Sequence, residues 1–357
     1  MPTTLRVASF NVENLFSRVK ILNLRDHSVA ADALKQVDDL NKLLRKTSYS
    51  TTDKRQIVDL YQALKIYIQI REDRGKLFNR TKTQVVAHGV RDWDGEVEFK
   101  RAKFSEQARE NTAKVIKAVK ADVACIVEAE ARPALVAFNG DLLDSRKFKY
   151  AMLIDGNDPR GIDVGVLSGF PIVSLKSHLY DGPANSRTFS RDCLRVEMQL
   201  PSGQSLHLLC NHFKSKSGGE TATDPRRRRQ AERVAEILGE YDLTRDLLIV
   251  AGDLNDTPTR NPLRPLLDLP HLHDVLALQF PSDAAARWTY HFRDVQQIDY
   301  ILVSEPLKNA FAKAGVERRG IYRLAQITGG AEREFDTVTR WTDAASDHGA
   351  VWAEFTL

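Results

Sequence analysis

Eight short runs of branched and aromatic residues recur from one end of this 357-residue chain to the other, and six of them deliver a polar residue to one end. The runs are 5–11, 122–127, 163–168, 194–200, 206–211, 247–251, 298–304 and 350–355. Each is short and bounded by Gly, Pro, Asn or Asp, which predicts a strand. Helical spacing lies between them. The segment 104–120 repeats Ala108, Val115, Ile116 and Val119. The segment 226–239 repeats Ala231, Val234, Ala235, Ile237 and Leu238, with Asp224-Pro225 as its start and Gly239 as its stop. Strands mixed with helices, several of the strands joined as hairpins, predict an α+β fold. The expected architecture is a four-layer α/β-sandwich: two packed, mostly antiparallel mixed β-sheets flanked by helices.

The stretch 17–103 interrupts this rhythm. Leu34, Val37, Leu40 and Leu44, then Ile57, Leu60, Tyr61, Leu64, Tyr67 and Ile68, recur at helical intervals, predicting two amphipathic helices. Asp94-Gly95, between Val90 and Trp93 on one side and Val97 and Phe99 on the other, reads as a hairpin turn. The expected organisation is one domain over 1–357 with a helical insertion at 17–103 near the N-terminus. Charge follows the same division. Between 41 and 103 there are fifteen Lys or Arg against eight Asp or Glu, a balance of +7, whereas the whole chain carries +4. The remainder is therefore slightly acidic. A surface for a polyanion and a solvated helical face both fit that balance.

Composition excludes several classes. Hydrophobic residues at 42% and charged residues at 28% belong to a globular chain, not a disordered or fibrous one. Cys125, Cys193 and Cys210 are odd in number and widely spaced, which argues against a disulfide framework or a zinc site and for buried thiols. No apolar run approaches a membrane span, and the N-terminus leads into a strand without a signal-peptide pattern. The expectation is a soluble, cytoplasmic protein with no membrane and no obligate protein partner.

The polar residues at strand ends carry the chemistry. Asn11 and Glu13 close the first run, Glu128 the second, His212 follows 206–211, and Asp253 and Asn255 follow 247–251. Asp299 opens the seventh run, and Asp347 and His348 precede the last. A lone Asp-Leu-Asn reads as a turn or cap. The whole set is different, because carboxylates crowd together only when a cation neutralises them. Hard oxygen donors without cysteine favour Mg²⁺, or Mn²⁺, over zinc.

Eight blocks in chain order resemble the endonuclease/exonuclease/phosphatase superfamily: SFNVEN at 9–14, DVACIVEAE at 122–130, RGIDVGVLS at 160–168, FSRDCLRVEM at 189–198, CNHFKSK at 210–216, VAGDLNDTP at 250–258, QIDYILVS at 297–304 and SDHGAVWAEF at 346–355. The resemblance implies a metal-dependent phosphodiesterase. It makes Glu128 the metal-binding glutamate, supported by Asn11, with Glu13 and Asp347 near the metal. It makes Asp253 the residue that positions or deprotonates the attacking water, and Asn255 the one that orients phosphate or metal. His348, paired with Asp299, would contact the scissile phosphate. His212 matches a second histidine of the deoxyribonuclease-like branch, with Asp163 a candidate partner, and Arg191 would touch a phosphate oxygen. Val127 stands where the family commonly has Gln, so one secondary hydrogen bond is absent.

Other features weigh less. Arg226 to Arg229 would point in four directions from a helix and reads as a solvated helix start, whereas Lys214 and Lys216 are better placed to meet a substrate backbone. Trp288, Tyr290 and Phe292 alternate like the core face of a strand, although one ring could stack on a base. His271 and His273 lack a third ligand and read as structural. The expected function is Mg²⁺-dependent hydrolysis by a nuclease of DNA or RNA, with nucleic acid as partner. The alternative is a phosphatase or phospholipase-like phosphodiesterase of the same fold. A non-catalytic binding module is disfavoured by the intact residue set. The insertion would form a helical flap beside the active-site mouth and add phosphate contacts.

Overall fold

Strands that are apolar on both faces need cover on both, and that requirement sets the layers. The computed structural model describes residues 4–13, 21, 27–100, 105–143, 148–158, 160–183 and 186–357. Two six-stranded sheets form. The first runs Phe311–Glu317, Ala350–Thr356, Thr4–Asn11, Val123–Ala129, Asp163–Ser168, Tyr150–Leu153. The second runs Leu272–Asp274, Asp299–Ser304, Leu247–Asp253, Ser205–His212, Cys193–Gln199, Ile172–Lys176. Each sheet has one parallel pair at its centre, Thr4–Asn11 with Val123–Ala129 and Ser205–His212 with Leu247–Asp253. The other pairings in both sheets are antiparallel.

Facing sides of the sheets share one core. Leu5, Val7, Val123, Cys125 and Val164 meet Val196, Leu208, Cys210, Ile249 and Ile301 there. The alternate residues face outward and are covered in turn. Phe10, Ala124, Ile126 and Leu167 pack under Val115, Ile116 and Val119 of helix Glu106–Val119 and under Leu135 and Phe138 of helix Arg132–Leu142. Leu209, Leu248, Val250 and Leu302 pack under Ala231, Val234, Ile237 and Leu238 of helix Glu220–Leu238. Helix, sheet, sheet, helix is the four-layer α/β-sandwich that the strand pattern predicts. All three cysteines are free and buried in it. No helix among the described residues is long and apolar enough to cross a membrane.

The chain divides into two compact units, Met1–Phe16 with Phe104–Leu357, and Ser17–Lys103. The second unit has its own core, in which Val37, Leu40, Ile57, Tyr61, Ile68 and Trp93 take part. Helices His27–Leu44 and Thr51–Leu64 supply one part, the second opened by a Ser50–Asp53 capping box. An antiparallel pair, Ile68–Gly75 with Trp93–Phe99, supplies the other.

Local readings differ at several points. Asp94-Gly95 lies inside a strand, not at a turn. Gly95 sits so near the neighbouring strand that a Cβ there would fall 2.0 Å from the Arg71 carbonyl oxygen, and this close approach is what asks for glycine. Helix Glu220–Leu238 begins before Asp224-Pro225, with Gly219 as N-cap and Pro225 inside it. Arg227 lies on the buried face with Thr223, Gln230, Ala231 and Val234, so the four arginines are not one solvated helix start: Arg228 and Arg229 are exposed, Arg226 is half-buried and Arg227 is buried. Phe104, the expected first residue of the 104–120 helix, and Asn14 of the first block lie outside the described residues.

Gly252 joins the fold to the site, because it directly precedes Asp253. Its φ is +138°, and a Cβ would meet the Asn211 carbonyl oxygen at 1.9 Å. Both the backbone angle and the clash exclude a side chain. Gly252→Ala is expected to lower stability by about 2 kcal/mol or more in urea unfolding. A native unfolding midpoint would contradict that reading.

Candidate active site

Strand polarity gathers the site at one rim. The central parallel strands end there, with Asn11, Glu128, His212 and Asp253 at or near their C-termini. Their antiparallel neighbours begin there, so Asp163 and Asp299 are first residues of strands and His348 lies just before Ala350. Register confirms the gathering: Asp253 is opposite both His212 and Asp299, and Asn11 is opposite Val127. Glu13, Glu128 and Asn255 all have left-handed backbone, at φ 49°, 66° and 56°. For residues with a Cβ this conformation is strained, and it concentrates here where the strands release their side chains. A register shift between Val127 and Ala129 accompanies Glu128.

Asp253 is the buried centre. Its Oδ1 accepts the Asn255 backbone N–H at 2.8 Å, and its Oδ2 accepts Nδ2 of Asn255 at 3.0 Å and of Asn11 at 3.2 Å. Asn11 thus links the two sheets across the rim. Burial, and then the neighbouring Asp299, push the Asp253 carboxyl up to about 7. Burial likewise raises Glu128. Glu13 donates its backbone N–H to the Asn11 side chain at 3.0 Å.

His348 donates its Nδ1–H to Asp299 Oδ2 at 2.8 Å, and Thr289 Oγ1 donates to the same oxygen at 2.7 Å. Burial works against a charged ring, but Asp299, with Asp347 and Asp253, outweighs it and pushes His348 up to about 10. The loop carrying His348 is tied to the first strand: Ser346 Oγ donates to the Asn11 carbonyl at 2.7 Å and accepts the His348 N–H at 3.0 Å. Tyr290 lays its ring 4.7 Å from the His348 ring. Asp347 Oδ1 is 3.7 Å from His348 Nε2.

His212 behaves oppositely. Its Nε2 stands 3.7 Å from both Glu128 and Asp253, and burial plus the nearby Arg191 and Arg160 hold it well below its ordinary value, so it is neutral. Its Nδ1 is buried without a hydrogen-bond partner. Asp163 does not serve it. That carboxylate accepts the Gly156 N–H at 2.7 Å and is pushed up to about 7 by burial. Arg191 is almost wholly buried, with Nη1 3.6 Å from Asp158 and Nη2 donating to the Phe213 carbonyl. Arg160 grips Asp158 in fork geometry, at 2.8 and 2.5 Å. Lys214 is pushed down to about 8 by burial and by Arg191 and Arg160. A carboxylate pole and a cationic pole therefore meet around His212.

Thr289, Ser346, Asp158 and Arg160 carry no role in the sequence pattern, and Tyr290, expected on a strand's core face or stacked on a base, packs against the His348 ring. Arg160 heads the RGIDVGVLS block and Ser346 opens SDHGAVWAEF, so position in the blocks was the available signal. His271 and His273 both face Glu305, at 3.5 and 2.8 Å, as structural side chains do.

The Endonuclease/Exonuclease/phosphatase family model matches residues 81–314, well over half of the chain. The chain belongs to this family. An endonuclease/exonuclease/phosphatase family protein from Bacteroides thetaiotaomicron is similar in structure at TM-score 0.52 and 16% identity, covering 100% of both chains. Truncated TDP2 from Caenorhabditis elegans gives 0.48 at 19% identity, over 70% of this chain and 92% of that one. An AP endonuclease from Archaeoglobus fulgidus gives 0.49 at 16% identity, over 71% and 96%. No curated protein matches the chain.

The endonuclease/exonuclease/phosphatase family implies a divalent metal, and the atoms present fit one. Asp253, Asp299 and His348 offer ligand atoms within 4.8 Å of one another. Asp299 Oδ1 is buried with no hydrogen-bond partner. Glu128 and Asp253 are both raised by burial, a cost that a cation would relieve. The Asp253, Asp299 and Glu128 donors are hard oxygens, as Mg²⁺ and Mn²⁺ prefer, whereas the His348 ring, charged and paired with Asp299, offers no free lone pair while it keeps its proton.

A raised histidine has a definite sign in stability. His348 binds its proton more tightly folded, at about 10, than unfolded, at 6.5. Its contribution is complete below pH 6.5 and is lost as pH climbs toward about 10. In EDTA, the stability gap between the native protein and His348→Gln should shrink over that interval in denaturant titrations. A gap that widens with pH contradicts the ion pair with Asp299.

Proposed function

We propose that the protein is a Mg²⁺-dependent phosphodiesterase that cuts DNA or RNA. The observation that carries this is the meeting of buried carboxylates, Glu128, Asp253 and Asp299, with the cations Arg160, Arg191 and Lys214 that act on His212. One set suits a divalent cation and the other an anionic substrate.

Glu128 and Asn11 would hold the metal, with Glu13 and Asp347 beside it. Bound there, the metal supplies polarisation of a phosphoryl oxygen and stabilises the leaving oxygen. Asp253, fixed by Asn11 and Asn255, orients the attacking water and takes its proton, and a carboxyl raised to about 7 suits a base at neutral pH. His348, charged and fixed by Asp299, offsets charge growing on the phosphorus and has a proton to give to the departing oxygen. His212, neutral, contributes a hydrogen bond to the phosphate and no charge. Arg191 and Lys214 hold phosphate oxygens. The balance of +7 over 41–103 adds long-range attraction for a polyanion, which favours nucleic acid over a small phosphoester.

Purified protein with Mg²⁺ should nick plasmid DNA or cleave RNA, and EDTA should abolish the cleavage. Asp253→Ala and His348→Ala should fold yet turn over at least ~10²-fold more slowly. Turnover of phosphoinositides without attack on nucleic acid would move the function to the phosphatase or phospholipase-like alternative. Native turnover in either variant would refute the residue roles.

A further inference from the structure

Arg227 is among the largest fully buried side chains of the protein, and nothing in the chemistry above uses it. It spends all five of its N–H donors. Nε donates to Asp256 Oδ2 at 3.0 Å. Nη1 donates to the Lys214 carbonyl at 3.2 Å and to Thr223 Oγ1 at 2.8 Å. Nη2 donates to the Glu220 carbonyl at 3.1 Å and to Asp224. Two of these partners belong to the loops that leave the catalytic strands. Lys214 follows His212, and Asp256 follows Asp253 and Asn255.

Asp256, equally buried, extends the array. Its Oδ1 pairs with Arg260 Nε at 2.9 Å and lies 3.7 Å from Lys216 Nζ. Its carbonyl accepts the Tyr300 hydroxyl at 2.9 Å. Lys216 Nζ in turn donates to Gln296 Oε1 at 3.0 Å. Gln296 belongs to the hairpin in which its carbonyl accepts the Thr289 N–H at 2.9 Å, and Thr289 holds Asp299. A chain of ion pairs and hydrogen bonds therefore touches the segments behind His212, Asp253 and Asp299.

We infer that Arg227 and Asp256 are positioning residues whose buried pair sets the relative placement of the loops that follow His212 and Asp253 and of the hairpin that precedes Asp299, the partner of His348. The physical ground is the nature of a buried ion pair. Desolvating two charges consumes most of what their attraction gains, so apolar replacements of similar volume often match such a pair in stability. What apolar residues cannot reproduce is direction. A guanidinium fork bonded to two backbone carbonyls, a hydroxyl and two carboxylates fixes where each loop runs. Small displacements of reacting groups lower rates steeply.

The inference rests on the phosphodiesterase reading, and two readouts separate their failures. The double variant Arg227→Met/Asp256→Leu replaces the pair without leaving a lone charge. It should melt close to the native protein. With bis-p-nitrophenyl phosphate and Mg²⁺, kcat per folded molecule should fall at least about tenfold while KM changes little. Backbone amides of 213–217 and 254–257 should exchange with deuterium faster, a readout that does not depend on activity. Native kcat together with native exchange in the folded variant overturns the inference. Should the double variant not fold, Arg227→Lys, which keeps the charge but loses the fork, is read by the same two measurements and the same outcomes. A native protein inactive on every phosphodiester refutes the functional reading, while the exchange of these loops still decides the positioning role.

Discussion

Buried carboxylates at one rim are the constraint on which the site is built. Asp253 and Asp299 are buried and Glu128 is largely so, and burial together with neighbouring carboxylates opposes the ionisation of Glu128 and Asp253. The fold meets this with directed donors. Asn11 and Asn255 serve Asp253, Thr289 serves Asp299, and the His348 ring takes on positive charge against Asp299. One buried oxygen of Asp299 keeps no partner. A set of anions neutralised this incompletely is an arrangement ready for a cation.

The sheet topology makes the crowding unavoidable. A parallel pair at the centre of each sheet sends two C-termini to the same edge, and antiparallel neighbours start at that edge. Seven strands thereby bring polar side chains to one rim, although the residues are spread from Asn11 to His348. The left-handed backbones of Glu13, Glu128 and Asn255 mark where the chain is bent to aim those side chains. Gly252 marks where two strands approach too closely for any Cβ.

What could be read in advance follows from burial. Strands covered on both faces, such as 123–127 and 247–251, give uninterrupted apolar runs and stand out. Edge strands such as Tyr150–Leu153, Ile172–Lys176 and Phe311–Glu317 are partly solvated and carry no such run, so the sequence does not announce them. Asp94-Gly95 misled because glycine serves close approach as well as turns. Arg227 faces the core because it continues the apolar face of Ala231 and Val234, and charge alone does not reveal that. Asp253, Asp299 and His348 are brought together by topology, but Asp163 is taken by the Gly156 amide. Thr289 and Ser346 act only through hydrogen bonds across long sequence separations, which local pattern does not encode.

The most direct measurement of the central claim is anomalous diffraction from crystals soaked in Mn²⁺. The account predicts one strong peak at the shared rim, bonded at about 2.0–2.3 Å to a Glu128 oxygen and near Asp253, with density lost on addition of EDTA. Well-diffracting crystals without a peak there, or with the ion held elsewhere while Glu128 and Asp253 stay apart from it, would contradict it.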